Sequence, residues 1–170
     1  MTTRTPLRWT ALLVLSLWFQ AGWFVAVLGR DAFAPLLWLM VVISLVITRW
    51  RYRAPLLPQL IVVSFGLIID TLNQWLGVLV FSTEWLPNWL VGLWLLFAWY
   101  GWQMWPTLGR YSLYVLLPIG AVGGALSYWA GEKLDAVEFG LPLIPTLLVL
   151  MSQWLLVMAL MVRVYREQKK

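Results

Sequence analysis

Asp70 is the one ionisable side chain deep within an apolar run of this 170-residue chain, and other polar and small residues flank it at regular spacing. Gly66, Asp70, Asn73, Gln74 and Gly77 stand at i−4, i, i+3, i+4 and i+7, the spacing that puts residues on one face of an α-helix. A carboxyl group beside two amides can bind a polar ligand, carry a proton, or lock helices together by hydrogen bonds. An acid at mid-bilayer costs about 2.5 to 3.5 kcal/mol on insertion scales, so this stripe must face protein or water rather than lipid. Two readings follow. Asp70 is either a protonatable or ligand-binding group in an internal cavity, or a buried acid that fixes helix packing. Gln20, Gln103, Gln153, Ser16 and Ser152 are available to meet it, and Gln20 and Gln153 share its mid-span depth.

A second stripe holds Gly120, Gly123, Gly124, Ser127 and Gly131 at spacings of three and four. Small residues in that pattern let another backbone approach closely. Packing within one chain explains it most simply; a seam between copies, or a ligand pressed against bare backbone, are the alternatives. Tyr128 can place its hydroxyl at the outer end of this stripe. The following loop carries Glu132, Asp135 and Glu138. Three carboxylates suit a hard cation, but acids are tolerated on that side of a membrane in any case, and no metal is assigned. A Ser127–Lys133 hydrolytic dyad would place its lysine in solvent.

The sequence has no His and no Cys. That excludes disulfides, Cys–His zinc sites, haem on His or Cys, a His base and a Cys nucleophile. A non-enzymatic protein without a cofactor is the expectation.

The elements that carry these residues follow from composition. The chain is 62% hydrophobic and 11% charged, with a mean hydropathy of +0.83. Soluble domains carry about a quarter charged residues, so the polar surface here is too small for water. A bilayer core about 30 Å thick needs about 20 apolar residues in a helix. Six runs qualify: 9–28, 32–48, 57–81, 85–105, 111–130 and 141–162. They are continuously apolar, which excludes the alternating pattern of a membrane barrel. Pro35 falls in a first turn, Pro106 closes the fourth run and Pro142 opens the sixth. A signal-peptide reading of the first run lacks a small-residue cleavage site. The expected fold is an all-α integral membrane protein, one polytopic domain over residues 1–170, built as a bundle of six transmembrane helices.

The formal charge of +5 sorts by loop. With a cytoplasmic N-terminus, Arg4, Arg8, Arg49, Arg51, Arg53, Arg110, Arg163, Arg166, Lys169 and Lys170 fall inside, while Arg30 and Lys133 fall outside. Both termini are therefore expected in the cytoplasm. The basic 49–53 loop suits anionic head groups and gives no footprint for nucleic acid. Of the 14 Trp, Trp9, Trp50, Trp85, Trp89, Trp102, Trp105 and Trp129 fall near span ends, where an indole sits at head-group level. Trp18, Trp75, Trp94 and Trp154 fall deeper.

The runs Trp18-Phe19 with Gly22-Trp23 and Val27, Gly66 with Asp70 and Gly77 to Phe81, Pro87 with Trp89-Leu90, Leu93-Trp94 and Phe97, and Gly123-Gly124 with Leu126-Ser127-Tyr128, Gly131, Leu134, Ala136-Val137 and Phe139 resemble the bacterial inner-membrane family catalogued as Domain of Unknown Function 2878. The glycine–tyrosine–glycine segment is the most specific part. Ala125 and Asp135 depart from the family pattern, which favours Pro and Gly there. The resemblance implies a small multi-pass inner-membrane protein, with a lipid-modifying enzyme as a conceivable partner.

Three functions rank in order. The first is a protein that binds a lipid or small apolar molecule, or assists a lipid-modifying partner, with Asp70, Asn73, Gln74 and the 120–131 stripe lining its interior. The second is a small-solute transporter component with a midplane site at Asp70, similar in size and span count to the substrate-capturing subunits of vitamin transporters. The third is an integral-membrane enzyme relying on Asp70 or the outer acids. Association into oligomers is open.

Overall fold

Helices account for most of the chain because its apolar runs are long and largely free of internal breakers. The structure, a computed structural model, describes residues 7–52 and 55–167. Arg4, Arg53, Lys169 and Lys170 of the charge count lie outside the described residues. In chain order the elements are α1 (Trp9–Gly29), α2 (Ala34–Tyr52), α3 (Leu57–Trp75), β1 (Leu79–Val80), α4 (Asn88–Leu108), α5 (Leu113–Lys133), β2 (Glu138–Phe139) and α6 (Leu143–Glu167). Short connections make successive helices antiparallel. Pro35 sits in the first turn of α2 and Pro142 just precedes α6, as expected. Pro106 does not close α4 but lies inside its last turn.

The largest departure concerns the third run. α3 stops at Trp75 rather than 81. Gly77 adopts φ +67°, a left-handed conformation that suits glycine and ends a helix. The Gly77 and Val78 amides donate to the Gln74 and Asn73 carbonyls at 3.1 and 2.8 Å, closing the end. The chain then enters β1, which pairs antiparallel with β2, Leu79 opposite Phe139 and Val80 opposite Glu138. The bundle thus carries a two-stranded ribbon at one end, which the all-α reading lacked. Asp70 lies five residues from the end of α3, about 7.5 Å along the axis, rather than halfway along a span. Asp135, in the turn before β2, takes φ 56°, a region where glycine is at home.

Five helices, all but α4, are long and apolar enough to cross a membrane. α4 falls short in hydropathy because it carries Trp89, Trp94, Trp99, Trp102 and Trp105 with Tyr100 and Gln103. It is instead the most buried helix and packs against α1, α2, α3 and α6. This corrects the expected interfacial role of Trp89, Trp102 and Trp105, which are buried. Trp9, Trp50 and Trp85 are exposed, and so is Trp75, expected deeper. The outer faces of α1, α3 and α6 present Leu13, Val14, Leu17, Ile68, Leu148 and Leu156, an apolar exterior of the kind that marks a membrane or interaction surface.

Candidate functional site

Asp70 has no exposed surface. The Trp94 indole Nε1 donates to its Oδ2 at 2.7 Å, and the Tyr128 hydroxyl lies 2.7 Å from both carboxyl oxygens. An indole N–H can only donate, so Oδ2 accepts from it. The acid of α3 therefore ties α4 and α5 together at one depth.

One turn on, Asn73 and Gln153 exchange two hydrogen bonds, with the Asn73 amide donating at 2.9 Å and the Gln153 amide donating back at 2.7 Å. This reciprocal pair joins α3 to α6 with each amide supplying one donor and one acceptor. Gln74 turns away, because the helix ends one residue later. Its amide donates to the Thr83 and Glu84 carbonyls at 2.8 and 3.2 Å and holds the following loop.

The other polar residues of the spans go elsewhere. Gln20 is exposed on α1. Gln103 donates to Thr48 at 2.8 Å, Ser16 and Tyr100 share a 2.8 Å bond, and Ser152 donates to the Val149 carbonyl at 2.7 Å. Gly77 belongs to the turn after α3, not to its polar face.

The α5 stripe divides. A Cβ at Gly120 would overlap Met158, and one at Gly124 would overlap the Trp154 ring, so these two glycines seat α6. A Cβ at Gly123 would meet nothing within 4 Å. Ser127 accepts a 2.9 Å bond from the Trp23 indole, and Lys133 pairs with Glu132 at 3.1 Å, so no Ser127–Lys133 dyad forms. No group of three acidic side chains placed to hold a metal ion occurs among the described residues.

Two indoles complete the site. Trp94 and Trp154 stack with centroids 5.4 Å apart at 14°, and Phe97 meets both edge-on. Gly66, one turn before Asp70, leaves room for the Trp94 ring, as Gly124 does for Trp154. The polar stripe is thus also a seat for an aromatic ring. Trp94 and Tyr128 were not assigned to Asp70 from sequence. The available signal was chemical: a buried indole or phenol needs a hydrogen-bond partner, and Asp70 is the sole acid in the apolar runs.

Trp94, Trp154 and Tyr128 form one side of a cavity of about 70 Å³. α1 contributes Phe19, Trp23 and Val27; α4 contributes Trp89, Leu90, Leu93 and Phe97; Ser127 and Gly131 of α5 face them. Phe81, Ala136 and Val137 from the two ribbon connections close its outer end. Asp70 does not line this space, because Trp94 and Tyr128 stand in front of it. Among the main helix pairs α5 packs only against α6. The Trp23–Ser127 and Asp70–Tyr128 bonds tie it to α1 and α3. The cavity lies in the gap those bonds span. Its walls are aromatic and aliphatic, with a few convergent polar groups, the makeup of a small-molecule site.

The family described as protein of unknown function (DUF2878) matches residues 12–160, and the chain belongs to that family. No curated protein and no solved structure matches the chain.

Proposed function

We propose that this member of the DUF2878 family is a multi-pass protein of the bacterial inner membrane that binds a lipid or other small apolar molecule, or presents it to a lipid-modifying partner, without catalysing a reaction itself. One observation carries the reading: the aromatic cavity between α1, α4 and α5, in which the only side-chain polar atoms are hydroxyls and indole N–H groups. Such walls favour apolar matter, and the absence of His and Cys leaves little to act on it. Asp70 then serves as a positioning residue, holding Trp94 and Tyr128 at the cavity wall.

Gly131→Leu tests the cavity. A Cβ there would make only an ordinary 3.7 Å contact with Val137, so the backbone tolerates it while the longer side chain fills the space. Native mass spectrometry of the wild-type protein is expected to show a copurified phospholipid or fatty acid, and the variant is expected to lose it while keeping its helical circular dichroism. A water-soluble solute in that position would turn the reading to transport. A ligand retained by the variant would remove the cavity from the argument.

The orientation belongs to the same reading. Arg8, Arg49, Arg51, Arg110, Arg163 and Arg166 lie at one end of the bundle, and Asp31, Glu84, Glu132, Asp135 and Glu138 at the ribbon end. Positive charge is retained on the cytoplasmic side during insertion. Reporter fusions at Arg51 and at the C-terminus are expected to read cytoplasmic, and one at Lys133 external. An external Arg51 fusion would reverse this assignment.

A further inference from the structure

We infer that Arg30 holds the head group of the cavity's ligand, and that this ligand is an amphiphile ending in an anionic oxygen group, a carboxylate or a phosphate. The inference rests on the lipid-binding reading above and names the class of lipid.

Four observations converge on Arg30. Trp23, Val27 and Arg30 stand at i, i+4 and i+7 of α1 and its end, and the first two line the cavity. The lining face of α1 therefore runs out at a guanidinium group. Arg30 Nη2 donates to the Leu134 carbonyl at 2.8 Å. Leu134 sits between Gly131 and Val137, which line the facing wall, so Arg30 reaches across the outer end of the gap.

The charge of Arg30 is not met by an acid. Lys133 pairs with Glu132, and Arg163 with Glu167, but among the described residues no carboxylate lies within ion-pair distance of Arg30. One bond to a carbonyl leaves the other guanidinium donors able to bind an oxyanion, where hydrogen bonds are charge-assisted. Asp31, Asp135 and Glu138 belong to the same end of the bundle, and their field opposes an anion there, so the guanidinium must hold it directly by hydrogen bonds.

The backbone adds a fourth point. Arg30 adopts φ 47° and ψ −132°, a conformation glycine takes far more readily. The residue that takes this backbone conformation is not glycine but arginine, and with Lys133 paired to Glu132 its side chain is the positive charge at this end that no acid meets among the described residues.

Quenching of tryptophan fluorescence by a brominated chain tests this, because Trp23, Trp89, Trp94 and Trp154 line the cavity. Three probes are titrated into detergent-solubilised protein: dibromostearate, its methyl ester, and a lysophosphatidate carrying the same brominated chain. The two acids are expected to bind the wild-type protein about tenfold more tightly than the ester. Arg30→Gln is expected to erase that advantage and leave the ester unchanged. Arg30→Gly, which suits the backbone, is expected to do the same with no loss of thermal stability. Preference for dibromostearate or for the lysophosphate tells carboxylate from phosphate, and either supports the inference. Equal wild-type affinity for acid and ester overturns it while leaving the cavity reading intact, and so does an equal loss of acid and ester in both Arg30 variants. No binding of any probe overturns both.

Discussion

Asp70→Ala is expected to lower stability by about 3 kcal/mol, and Asp70→Asn by only about 1 kcal/mol. The alanine variant leaves the Trp94 indole and the Tyr128 hydroxyl buried without an acceptor, and an unsatisfied buried donor costs about 1 to 3 kcal/mol. Single interhelical hydrogen bonds in membranes average about 0.6 kcal/mol, because separated helices find other partners. That discount is smaller here. A separated α3 would expose Asp70 to lipid at a cost of its own, and alanine removes that cost from the separated state alone. Asparagine keeps an acceptor for Trp94 and can donate to the Tyr128 oxygen, losing charge assistance but not the geometry. Thermal unfolding followed by circular dichroism in one detergent, with all three proteins compared, reads the order. Because the Asp70–Tyr128 bond ties α5 to α3 beside the cavity, the alanine variant is also expected to lose the copurified lipid. An alanine variant as stable as the asparagine variant would show that Asp70 does not hold α4 and α5 together.

That pairing was only half legible in the sequence. The depth and spacing of Asp70 and Asn73 identify a buried polar face, because both periodicity and the cost of a charge in lipid are local properties. The partners are not local. Trp94 and Tyr128 stand 24 and 58 positions away, and Trp-rich segments read equally well as interfacial belts. Gln20 shows the converse limit. Its place in the apolar run suggests the depth expected of Asp70, but Asp70 lies near the end of α3, and α1 is apolar around its whole circumference, so nothing in its pattern says which side faces inward. The end of α3 was hidden because Leu76, Val78, Leu79 and Val80 continue the apolar run past the helix, leaving Gly77 as the single mark of the break. β1 and β2 pair residues about sixty positions apart, and two-residue strands leave no alternation to read. In the sequence Arg30 is one of two basic residues set against the prevailing charge bias, and only its reach to Leu134 and its backbone conformation give it a place beside the cavity.

Gly123 and Gly124 are neighbours in sequence, yet alanine is expected to act on them with opposite sign. At Gly123 a methyl group meets open space, so Gly123→Ala gains helix propensity of up to about 1 kcal/mol and disturbs nothing. At Gly124 the same methyl group would overlap the Trp154 indole. Overpacking costs about 1 to 3 kcal/mol, toward the lower end when a flexible side chain can yield. Trp154 is not of that kind. It is a rigid ring stacked on Trp94 and met edge-on by Phe97 and Tyr128. The upper end of the range applies, and after the propensity gain Gly124→Ala is expected to cost a net of about 2 kcal/mol. Displacing Trp154 also releases Trp94, and with it one donor to Asp70, so the loss should carry into the cavity wall. A double-mutant cycle separates this account from a general weakness of α5. Trp154→Leu is destabilising alone, because it empties a partly buried site, but Gly124→Ala made in that background is expected to cost little or nothing, since the clashing ring is gone. A Gly124→Ala penalty that is the same in both backgrounds would mean that this glycine does not seat the indole, and that the stack does not depend on the small-residue stripe.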